Sequence, residues 1–396
     1  MLSLPVAAQN VTVTVQGRVY DASGAAIPQA TVTAANTGTG LSRSTEASSV
    51  GDYQIPSLPP GDYTVTAEKT GFRKQAKKIH LDIGAAGNLD FNLPVGEIKE
   101  EVTVQDVGEL AEPTRTMVSS VIDEQKIDNL PVNGRQFIDF ALLAPGVTVG
   151  DTTSGSTDVI IEPVTKLSFA GQNIHYNFVA VDGADNMSTA SGIQKTTPSE
   201  EAVQEFRVVN SSYSTEFGRA VGGIVNIITK SGTNTLHGSL YEYFRNDKMD
   251  AKSLLAAAGG FNKLRQNQFG GTLGGPIVKD KTFFFGNYEG QRHVESPFYN
   301  STVLQHLDCP ASNPGCTDSI NYVKTQVLGL PAENLFVNRG INYDNLLAKL
   351  DHSFNQKEAL SLRYFFNDQR STNLSPLNDG FDLPSGFKNN TFRDQS

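Results

Sequence analysis

The stretches Leu346-Leu-Ala-Lys-Leu-Asp351 and Leu360-Ser-Leu-Arg-Tyr-Phe-Phe366 decide the fold class of this 396-residue chain. Apolar side chains occupy every second position, at Leu346, Ala348, Leu350, Leu360, Leu362, Tyr364 and Phe366. Polar or charged side chains lie between them, at Lys349, Asp351, Ser361 and Arg363. Because successive side chains of a β-strand point to opposite faces, this period of two predicts two strands, each with one apolar and one polar face.

The same kind of pattern extends over the C-terminal zone, residues 233–396. It contains five strand candidates, at about 236–245, 264–274, 282–292, 343–353 and 358–368. The connections between them are 18, 7, 50 and 4 residues long, and 28 residues follow the last strand. Alternating long and short connections are typical of an outer-membrane β-barrel, whose tilted strands need roughly 9–11 residues to span. We therefore expect the apolar set to face lipid and the polar set to face the lumen. A soluble β-sandwich with long loops is the alternative.

The composition excludes some classes of protein. The chain has 32 Lys+Arg against 42 Asp+Glu, a net charge of −10, whereas binding to nucleic acid needs clustered Lys and Arg. No run of 18 apolar residues is present, so we expect no transmembrane helix, although short alternating strands would escape such a search. Residues 1–10 resemble the end of a secretory signal peptide that starts upstream, because Val6-Ala-Ala8 fits a cleavage site. The alternative is a frayed terminus.

The two cysteines, Cys309 and Cys316, lie in a loop rich in Pro, Asn and Gly, with six residues between them. In an exported chain this spacing predicts a local disulfide. Two thiols without a nearby His supply only half of a tetrahedral shell, so we do not expect a metal site there. The sequence also lacks a phosphate-binding loop, an EF-hand and a nucleophile elbow, so we expect neither a cofactor nor catalytic residues.

The N-terminal zone, residues 11–95, consists of short alternating segments separated by turn residues, which predicts a small β-sandwich. Its strings Gly17-Arg-Val-Tyr-Asp21, Gly51-Asp-Tyr53, Leu58-Pro-Pro-Gly-Asp-Tyr63 and Gly71-Phe72 resemble the carboxypeptidase regulatory-like domain. The resemblance implies a transthyretin-like, seven-stranded sandwich of the carbohydrate-binding-like group. A metallocarboxypeptidase would need zinc ligands in a His-x-x-Glu pattern. None of the six histidines has Glu three residues later, at His80, His175, His237, His293, His306 or His352. We therefore expect no enzyme activity.

The middle zone, residues 109–232, has mixed character. The pattern predicts a helix over 122–130, a short apolar helix over 137–143, and strands over 178–181, 203–209 and 224–229. Six strings resemble, in order, the plug domain of Oar-like TonB-dependent outer-membrane receptors. They are Asn129-Leu-Pro-Val-Asn-Gly-Arg-Gln-Phe137, Leu142-Leu-Ala-Pro-Gly-Val147, Val181-Asp-Gly-Ala-Asp-Asn186, Val203-Gln-Glu-Phe-Arg207, Tyr213-Ser-Thr-Glu-Phe-Gly218 and Gly222-Gly-Ile-Val-Asn-Ile-Ile-Thr-Lys-Ser-Gly232.

Two further strings, Asn267–Pro276 and Lys281–Gly290, make residues 233–396 similar to the start of an Oar-like barrel. Receptors of this kind resemble plugged barrels of about 22 strands. Since five strands are recognisable, we expect an N-terminal fragment whose sheet is open. The resemblance implies a mainly β fold, with a sandwich, an α+β plug and an incomplete antiparallel barrel in the cell outer membrane. We expect the plug and the sandwich on the periplasmic side of that membrane.

Residues 96–108 link the sandwich to the plug and contain Glu101-Val-Thr-Val104. In TonB-dependent receptors a short extended box at this place pairs with a strand of the periplasmic protein TonB, by main-chain hydrogen bonds that demand little of the side chains. Glu101, Val102, Thr103 and Val104 are therefore the candidate TonB box; the alternative is a last sandwich strand or a linker. The resemblance implies energised uptake of a large substrate such as a glycan or peptide, with TonB, outer-membrane lipid and an unknown extracellular substrate as partners. A surface or periplasmic carbohydrate-binding, adhesive module is the rival hypothesis.

Overall fold

The computed structural model describes residues 12–84, 86–96, 102–106, 118–150, 166–188, 194–195, 198–211, 220–249, 263–296, 305–310, 312–334, 337–356, 358–374 and 388–395. The predicted signal remnant, residues 1–10, and Glu101 lie outside these ranges. The described chain is mainly β and has three parts. They are the sandwich (13–93), the middle unit (118–230) and a sheet of six neighbouring strands (237–395), which we call the wall.

The sandwich contains two sheets, as the spacing of its turn residues predicts. Its strands are β1 (Val13–Asp21), β2 (Thr31–Asn36), β3 (Ser42–Glu46), β4 (Asp52–Leu58), β5 (Gly61–Glu68), β6 (Gln75–Leu81), β7 (Ala86–Asn88) and β8 (Phe91–Leu93). One sheet has the order β3-β2-β5-β6, and the other has the order β4-β1-β7, with β8 also on β1. β7 and β8 pair in parallel with successive parts of β1 and so share one position beside it.

Alternation within these strands builds the core between the two sheets. In β5, for example, Tyr63, Val65 and Ala67 are buried, and the residues between them are more exposed. The hydroxyl of Tyr63 donates a hydrogen bond to the carbonyl oxygen of Pro59 (2.8 Å), which ties the strand to the Pro-Pro-Gly corner before it. A buried aromatic ring with a satisfied hydroxyl stabilises such a corner.

The middle unit surrounds a five-stranded sheet with the order β10-β15-β16-β13-β14. These strands are β10 (Val118–Ile122), β13 (Phe178–Val181), β14 (Ala184–Asp185), β15 (Val203–Ser211) and β16 (Ile224–Thr229); β11 (Val147–Val149) and β12 (Leu167–Phe169) form a separate pair. All six residues of β16 are buried, because the sheet is covered on both faces. The 3-10 helix Phe137–Leu143 covers one face, at the position predicted for a short apolar helix.

The helix predicted over 122–130 is wrong at its start. Ile122 ends β10, and the helix α1 runs over Glu124–Asn129. Asp123 is extended (φ −82°, ψ 171°), and its carboxylate accepts a hydrogen bond of 2.8 Å from the backbone N–H of Lys126. Since Asp is a strong N-cap residue, it separates the strand from the helix at this position.

The wall is an antiparallel sheet in which each strand pairs with the next in sequence. Its strands are β17 (His237–Asn246), β18 (Leu264–Val278), β19 (Thr282–Glu295), β20 (Arg339–Ser353), β21 (Ala359–Leu374) and β22 (Lys388–Gln395). The prediction of five strands was wrong, because β22 pairs with β21 where a loop was expected. The sequence of β22 is polar except for one Phe, so it carries no alternation that could reveal a strand. Among the described residues, β17 and β22 have no second neighbour, so the sheet is open.

The two faces of the wall are those that the alternation predicts. Leu346, Leu350, Leu360, Leu362 and Tyr364 are exposed on one face. On the opposite face Leu347 and Phe365 are buried, and Lys349 and Arg363 contact the middle unit. The three consecutive phenylalanines of β19 do not reveal their faces in the sequence; in the structure Phe283 and Phe285 are buried.

The connections of the wall differ in length at its two ends. Three residues join β18 to β19 and five join β20 to β21, whereas residues 247–263 and 296–338 form the other two connections between β17 and β20. Cys309 and Cys316 form a disulfide in the longest of these, with Cα atoms 5.5 Å apart. Within the described residues, none of the helices has the length and apolar character needed to cross a bilayer.

Candidate functional site at the two surfaces of the middle unit

The first surface of the middle unit faces the wall and includes Asp182. Asp182 follows β13 in a turn with φ +47°, and its carboxylate accepts hydrogen bonds from the backbone N–H (2.9 Å) and hydroxyl (2.7 Å) of Thr229. It also lies 3.3 Å from Nη1 of Arg363 and 3.7 Å from Nζ of Lys349, both from the wall. We call Asp182, Thr229, Lys349 and Arg363 the Asp182 cluster. Its side chains are largely buried, so its charges are weakly screened by solvent.

Arg135 makes the second charged contact with the wall. Nη2 of Arg135 lies 2.9 Å from Glu201, and Nη1 lies 3.6 Å from Glu200. The guanidinium also lies over the ring of Tyr243 in β17, 4.0 Å from its centroid. Burial raises the pKa of Glu200 to about 7, although Arg135 opposes this shift. A planar guanidinium can bind carboxylates at its edge and an aromatic ring at its face, so Arg135 joins the middle unit to the first wall strand.

Neutral contacts complete this surface. Ala202 packs in one buried cluster with Phe285, Leu347 and Phe365, which come from three different wall strands. The hydroxyl of Ser199 donates a hydrogen bond of 2.7 Å to Oδ1 of Asn287, which is buried. The middle unit therefore packs on the face of the wall opposite to its exposed apolar face.

The second surface of the middle unit faces the sandwich. Glu205 and Arg207, two residues apart on β15, lie on the same face of that strand and both bind the backbone of Ile83. Oε1 of Glu205 accepts a hydrogen bond of 3.0 Å from the N–H of Ile83, and Nη1 of Arg207 donates one of 2.6 Å to its carbonyl oxygen. Nε of Arg207 also donates to Ser119 on β10 (2.8 Å). These paired hydrogen bonds fix the turn after β6 of the sandwich on the middle sheet.

Three ionisable side chains meet beside this contact. Nδ1 of His80 lies 2.7 Å from Asp62, and Nε2 lies 3.7 Å from Asp82. One ligand atom from each of His80, Asp82 and Glu205 lies within 4.8 Å of the other two. We call these three residues the His80 cluster. Glu205 is only 2% exposed, and its Oε2 has no hydrogen-bond partner in the described structure.

The electrostatics of the His80 cluster follow from this burial. Burial raises the pKa of Glu205 to about 8, and the charge of Asp82 adds to the shift, whereas His80, the N–H of Ile83 and Arg207 oppose it. Burial alone would lower the pKa of His80, but the hydrogen bond and charge of Asp62, with the charges of Asp82 and Glu205, raise it above its ordinary value. The cluster therefore holds groups that change their charge near neutral pH.

The sandwich also contacts the wall at the end with the short connections. The backbone N–H of Asn234 donates to the carbonyl oxygen of Gly38 (2.9 Å), in the turn between β2 and β3. The side chain of Asn234 in turn binds Asp280, in the short turn between β18 and β19, through hydrogen bonds of 2.7 and 2.9 Å. The sandwich thus lies at the short-turn end of the wall.

The candidate TonB box has a defined backbone over Val102, Thr103 and Val104, and Glu101 lies outside the described residues. These three residues begin β9 (Val102–Asp106), which pairs in parallel with β6 and extends the sandwich sheet to the order β3-β2-β5-β6-β9. This pairing corresponds to the alternative stated for the segment, a last sandwich strand, and it does not test an encounter with TonB.

Sequence reasoning missed the residues that join the three parts. Arg135, Asp182, Glu205 and Arg207 all occur in the strings that resemble the plug, so those strings could have marked them. Their partners could not be found in this way, because Glu205 and Ile83 are 122 positions apart and Asp182 and Arg363 are 181 positions apart. His80 enters the sequence analysis only through the zinc pattern of a peptidase, which it does not match, and no pattern marks Asp82.

Comparison with known proteins assigns two of the three parts. Residues 14–94 match the model of the carboxypeptidase regulatory-like domain, and residues 228–396 match the model of an outer membrane beta barrel domain. The chain is 30% identical over 256 residues to the TonB-dependent transporter Oar of Myxococcus xanthus, an alignment that covers 60% of this chain and 23% of that protein.

Two further matches concern receptors named PirA from Acinetobacter baumannii. The chain is 28% identical over 185 residues to a probable TonB-dependent siderophore receptor, covering 43% of this chain and 22% of that protein. It is also similar to the crystal structure of the siderophore receptor PirA, with 19% identity, a TM-score of 0.45, and coverage of 68% of this chain and 34% of that chain. The chain thus spans less than a quarter of the length of the curated relatives. The two domain matches and the similarity to Oar support a TonB-dependent outer-membrane receptor, and the matched relatives are transporters and receptors rather than enzymes.

Proposed function

We propose that this chain takes part in TonB-dependent, energised uptake across the outer membrane, with the middle unit as the plug. The observation that carries the proposal is the contact of the middle unit with the lumenal face of the wall. Asp182, Arg135 and Ala202 each bind wall residues on that face, by ion pairs, by stacking and by apolar packing. If the middle unit occupies the lumen of the barrel, a substrate can pass only when the middle unit moves.

The candidate TonB box is the segment through which TonB would act. It joins the sandwich to the middle unit, and β9 is the edge strand of the sandwich sheet. An edge strand presents main-chain groups that another strand can pair with, the mode called β-augmentation. Pairing of TonB with Glu101–Val104 would pull on the chain directly ahead of the middle unit.

The sidedness of the protein follows from its connections. Short turns of outer-membrane barrels are periplasmic and long loops are extracellular. The sandwich contacts the short-turn end of the wall through Asn234 and Asp280, so it would lie in the periplasm, where TonB is found. The disulfide-bonded loop with Cys309 and Cys316 would then be extracellular.

The substrate class that we propose is a large molecule such as a glycan or peptide. The long connections at the outer end of the wall, residues 247–263 and 296–338, offer more contact surface than a small ion needs. A ferric siderophore is the second class, since a relative is a probable siderophore receptor. Uptake assays with a labelled oligosaccharide, a labelled peptide and a ferric siderophore would separate these classes.

Binding of TonB is tested with the full chain in detergent micelles and the purified periplasmic domain of TonB. Val104→Pro removes a main-chain N–H from the box and should weaken the binding by about tenfold, or 1.4 kcal/mol. Val104→Thr retains the N–H and the preference for a strand, so it is the matched control and should bind like the original chain. Unchanged binding by Val104→Pro would contradict the assignment of the box.

The rival hypothesis is a carbohydrate-binding module without transport. Such a module does not use TonB. The rival hypothesis therefore predicts that deletion of residues 101–104 changes neither the binding of an oligosaccharide at the cell surface nor its entry into the periplasm. Under our proposal the deletion abolishes entry and leaves surface binding intact.

A further inference from the structure

The His80 cluster has the composition of a metal site that spans two parts of the molecule. His80 and Asp82 belong to the sandwich, at the end of β6 and just after it, and Glu205 belongs to β15 of the middle unit. Their ligand atoms already lie within 4.8 Å of one another. Two ligands of a tetrahedral Zn²⁺ ion are separated by about 3.4 Å, given bonds of about 2.0–2.1 Å to nitrogen and oxygen. Nε2 of His80 and Oδ1 of Asp82, at 3.7 Å, are close to that separation.

Glu205 supplies the observation that points to a ligand. Its Oε1 is used by the N–H of Ile83, but its Oε2 is buried and has no hydrogen-bond partner in the described structure. A buried carboxylate oxygen without a partner has lost its hydrogen bonds to water and gained none in return, which costs free energy. A cation placed between Glu205, His80 and Asp82 would remove that cost.

Asp62 prepares His80 for this role. Its carboxylate lies 2.7 Å from Nδ1 of His80, so Nδ1 carries the proton and Nε2 presents a lone pair towards the cluster. In metal sites of proteins, a carboxylate on the far nitrogen of a ligating His commonly fixes its orientation and raises its basicity. The side chain of Asp62 is exposed and could be solvated by water, so it does not need His80 as a hydrogen-bond partner.

We infer that His80, Asp82 and Glu205 bind a divalent transition-metal ion of the Zn²⁺ type and thereby join the sandwich to the middle unit. One nitrogen and two carboxylate oxygens suit Zn²⁺ better than Mg²⁺, which prefers oxygen ligands alone. His80 and Asp82 are partly exposed, which leaves an entry path and room for water as a fourth ligand. The ligand set does not follow the His-x-x-Glu pattern of the peptidases, and the role is structural.

The direct test measures metal content and affinity on the full chain in detergent micelles. The chain is stripped with EDTA, and Zn²⁺ or Mg²⁺ is then added alone, with calorimetry and elemental analysis as readouts. We expect one Zn²⁺ per chain and no comparable binding of Mg²⁺. Glu205→Gln retains Oε1 for the N–H of Ile83 and removes the charge, so it should weaken Zn²⁺ binding by about 100-fold.

Two further variants separate ligation from folding. His80 is half exposed, so His80→Gln should fold normally and also lose about 100-fold in affinity. Asp62→Asn should lose about tenfold, since it orients the His80 ring without touching the metal. His237→Gln changes an exposed histidine of the wall and is the matched control, with no expected change. Zn²⁺ should raise the thermal midpoint of the original chain and of His237→Gln but not that of Glu205→Gln.

The inference is overturned if no Zn²⁺ binds, or if it binds equally well to His80→Gln and Glu205→Gln. In the first case the cluster holds no metal, and a protonated His80 pairs with the surrounding carboxylates. In the second case the metal lies elsewhere on the chain.

Discussion

The two surfaces of the middle unit are both rich in charge, but they differ in the kind of group that they use. The wall-facing surface relies on Lys349, Arg363 and Arg135, which contact the carboxylates of Asp182, Glu200 and Glu201. The sandwich-facing surface relies on His80 and Glu205, whose pKa values are both raised, that of Glu205 to about 8. We therefore expect the second surface to be the one whose stability changes with pH and with metal ions.

The largest effect should come from breaking the Asp182 cluster. Asp182→Asn removes the charge that compensates two largely buried cations, while Asn tolerates the positive φ of this position. Loss of one partner of a buried ion pair typically costs about 3 kcal/mol of unfolding free energy. Urea unfolding of the full chain in micelles measures this cost, and an unchanged midpoint would mean that the charges do not hold the middle unit on the wall.

A smaller effect is expected at the sandwich-facing surface from Gly84→Ala. Gly84 has φ +64°, and a Cβ there would lie 2.9 Å from Nη1 of Arg207, which binds Ile83. The positive φ alone costs about 1–2 kcal/mol, and displacement of Arg207 adds to it.

Gly71→Ala is the matched control for that change. Gly71 has φ +89° and open space around its Cβ position, so it carries the backbone cost without the displaced arginine. Thermal unfolding should show a larger loss for Gly84→Ala than for Gly71→Ala. Equal losses would mean that the contact of Arg207 with Ile83 adds nothing.

A change that accumulates gradually with pH distinguishes the two surfaces most directly. Glu205 binds its proton more tightly in the folded chain, where its pKa is about 8, than in the unfolded chain, where a Glu has about 4.3. Its stabilisation is complete below about pH 4 and is lost as the pH rises towards 8. His80, whose pKa is also raised, acts in the same direction above about pH 6.5.

In EDTA, the stability of the original chain should therefore fall between pH 5 and 8 by up to about 1.4 kcal/mol per pH unit for each proton lost. Glu205→Gln should show a flatter profile, because the variant removes the titration of Glu205. The other charged groups that face His80 and Glu205 here are Asp62, Asp82 and Arg207. With Zn²⁺ the original chain should gain stability as the pH rises, since the ion binds the deprotonated ligands. A profile that is identical for both chains would remove Glu205 from this account.

Alternation in the sequence was enough to predict the faces of β20 and β21. Lipid selects apolar side chains at every second position, so Leu360 and Leu362 reveal their strand without knowledge of its neighbours. The same reasoning missed β22, because a polar strand is specified by its pairing with β21 rather than by its own residues. It also placed the start of α1 too early, since Ile122 is apolar in either element.

The sites that join the three parts could not be predicted from sequence patterns. Glu205 and Arg207 alternate correctly on a strand, but what they bind is the backbone of Ile83, and a main-chain partner leaves no trace in the sequence. Arg135 binds Glu201 and lies over Tyr243, a pairing that depends on how β17 is placed beside the middle unit. Local patterns specify elements, whereas these contacts are specified by their packing.

The distance along the chain between Asp182 and its wall partners has a consequence for how the molecule assembles. Arg363 follows Asp182 by 181 positions, so the ion pair closes a very long loop, and contacts of that kind form late. The sheet of the middle unit needs only residues up to Thr229 and can form before any wall strand is present. The wall strands would then fold against a prefolded template, so a defect in the middle unit should delay barrel formation and expose the apolar strands to aggregation.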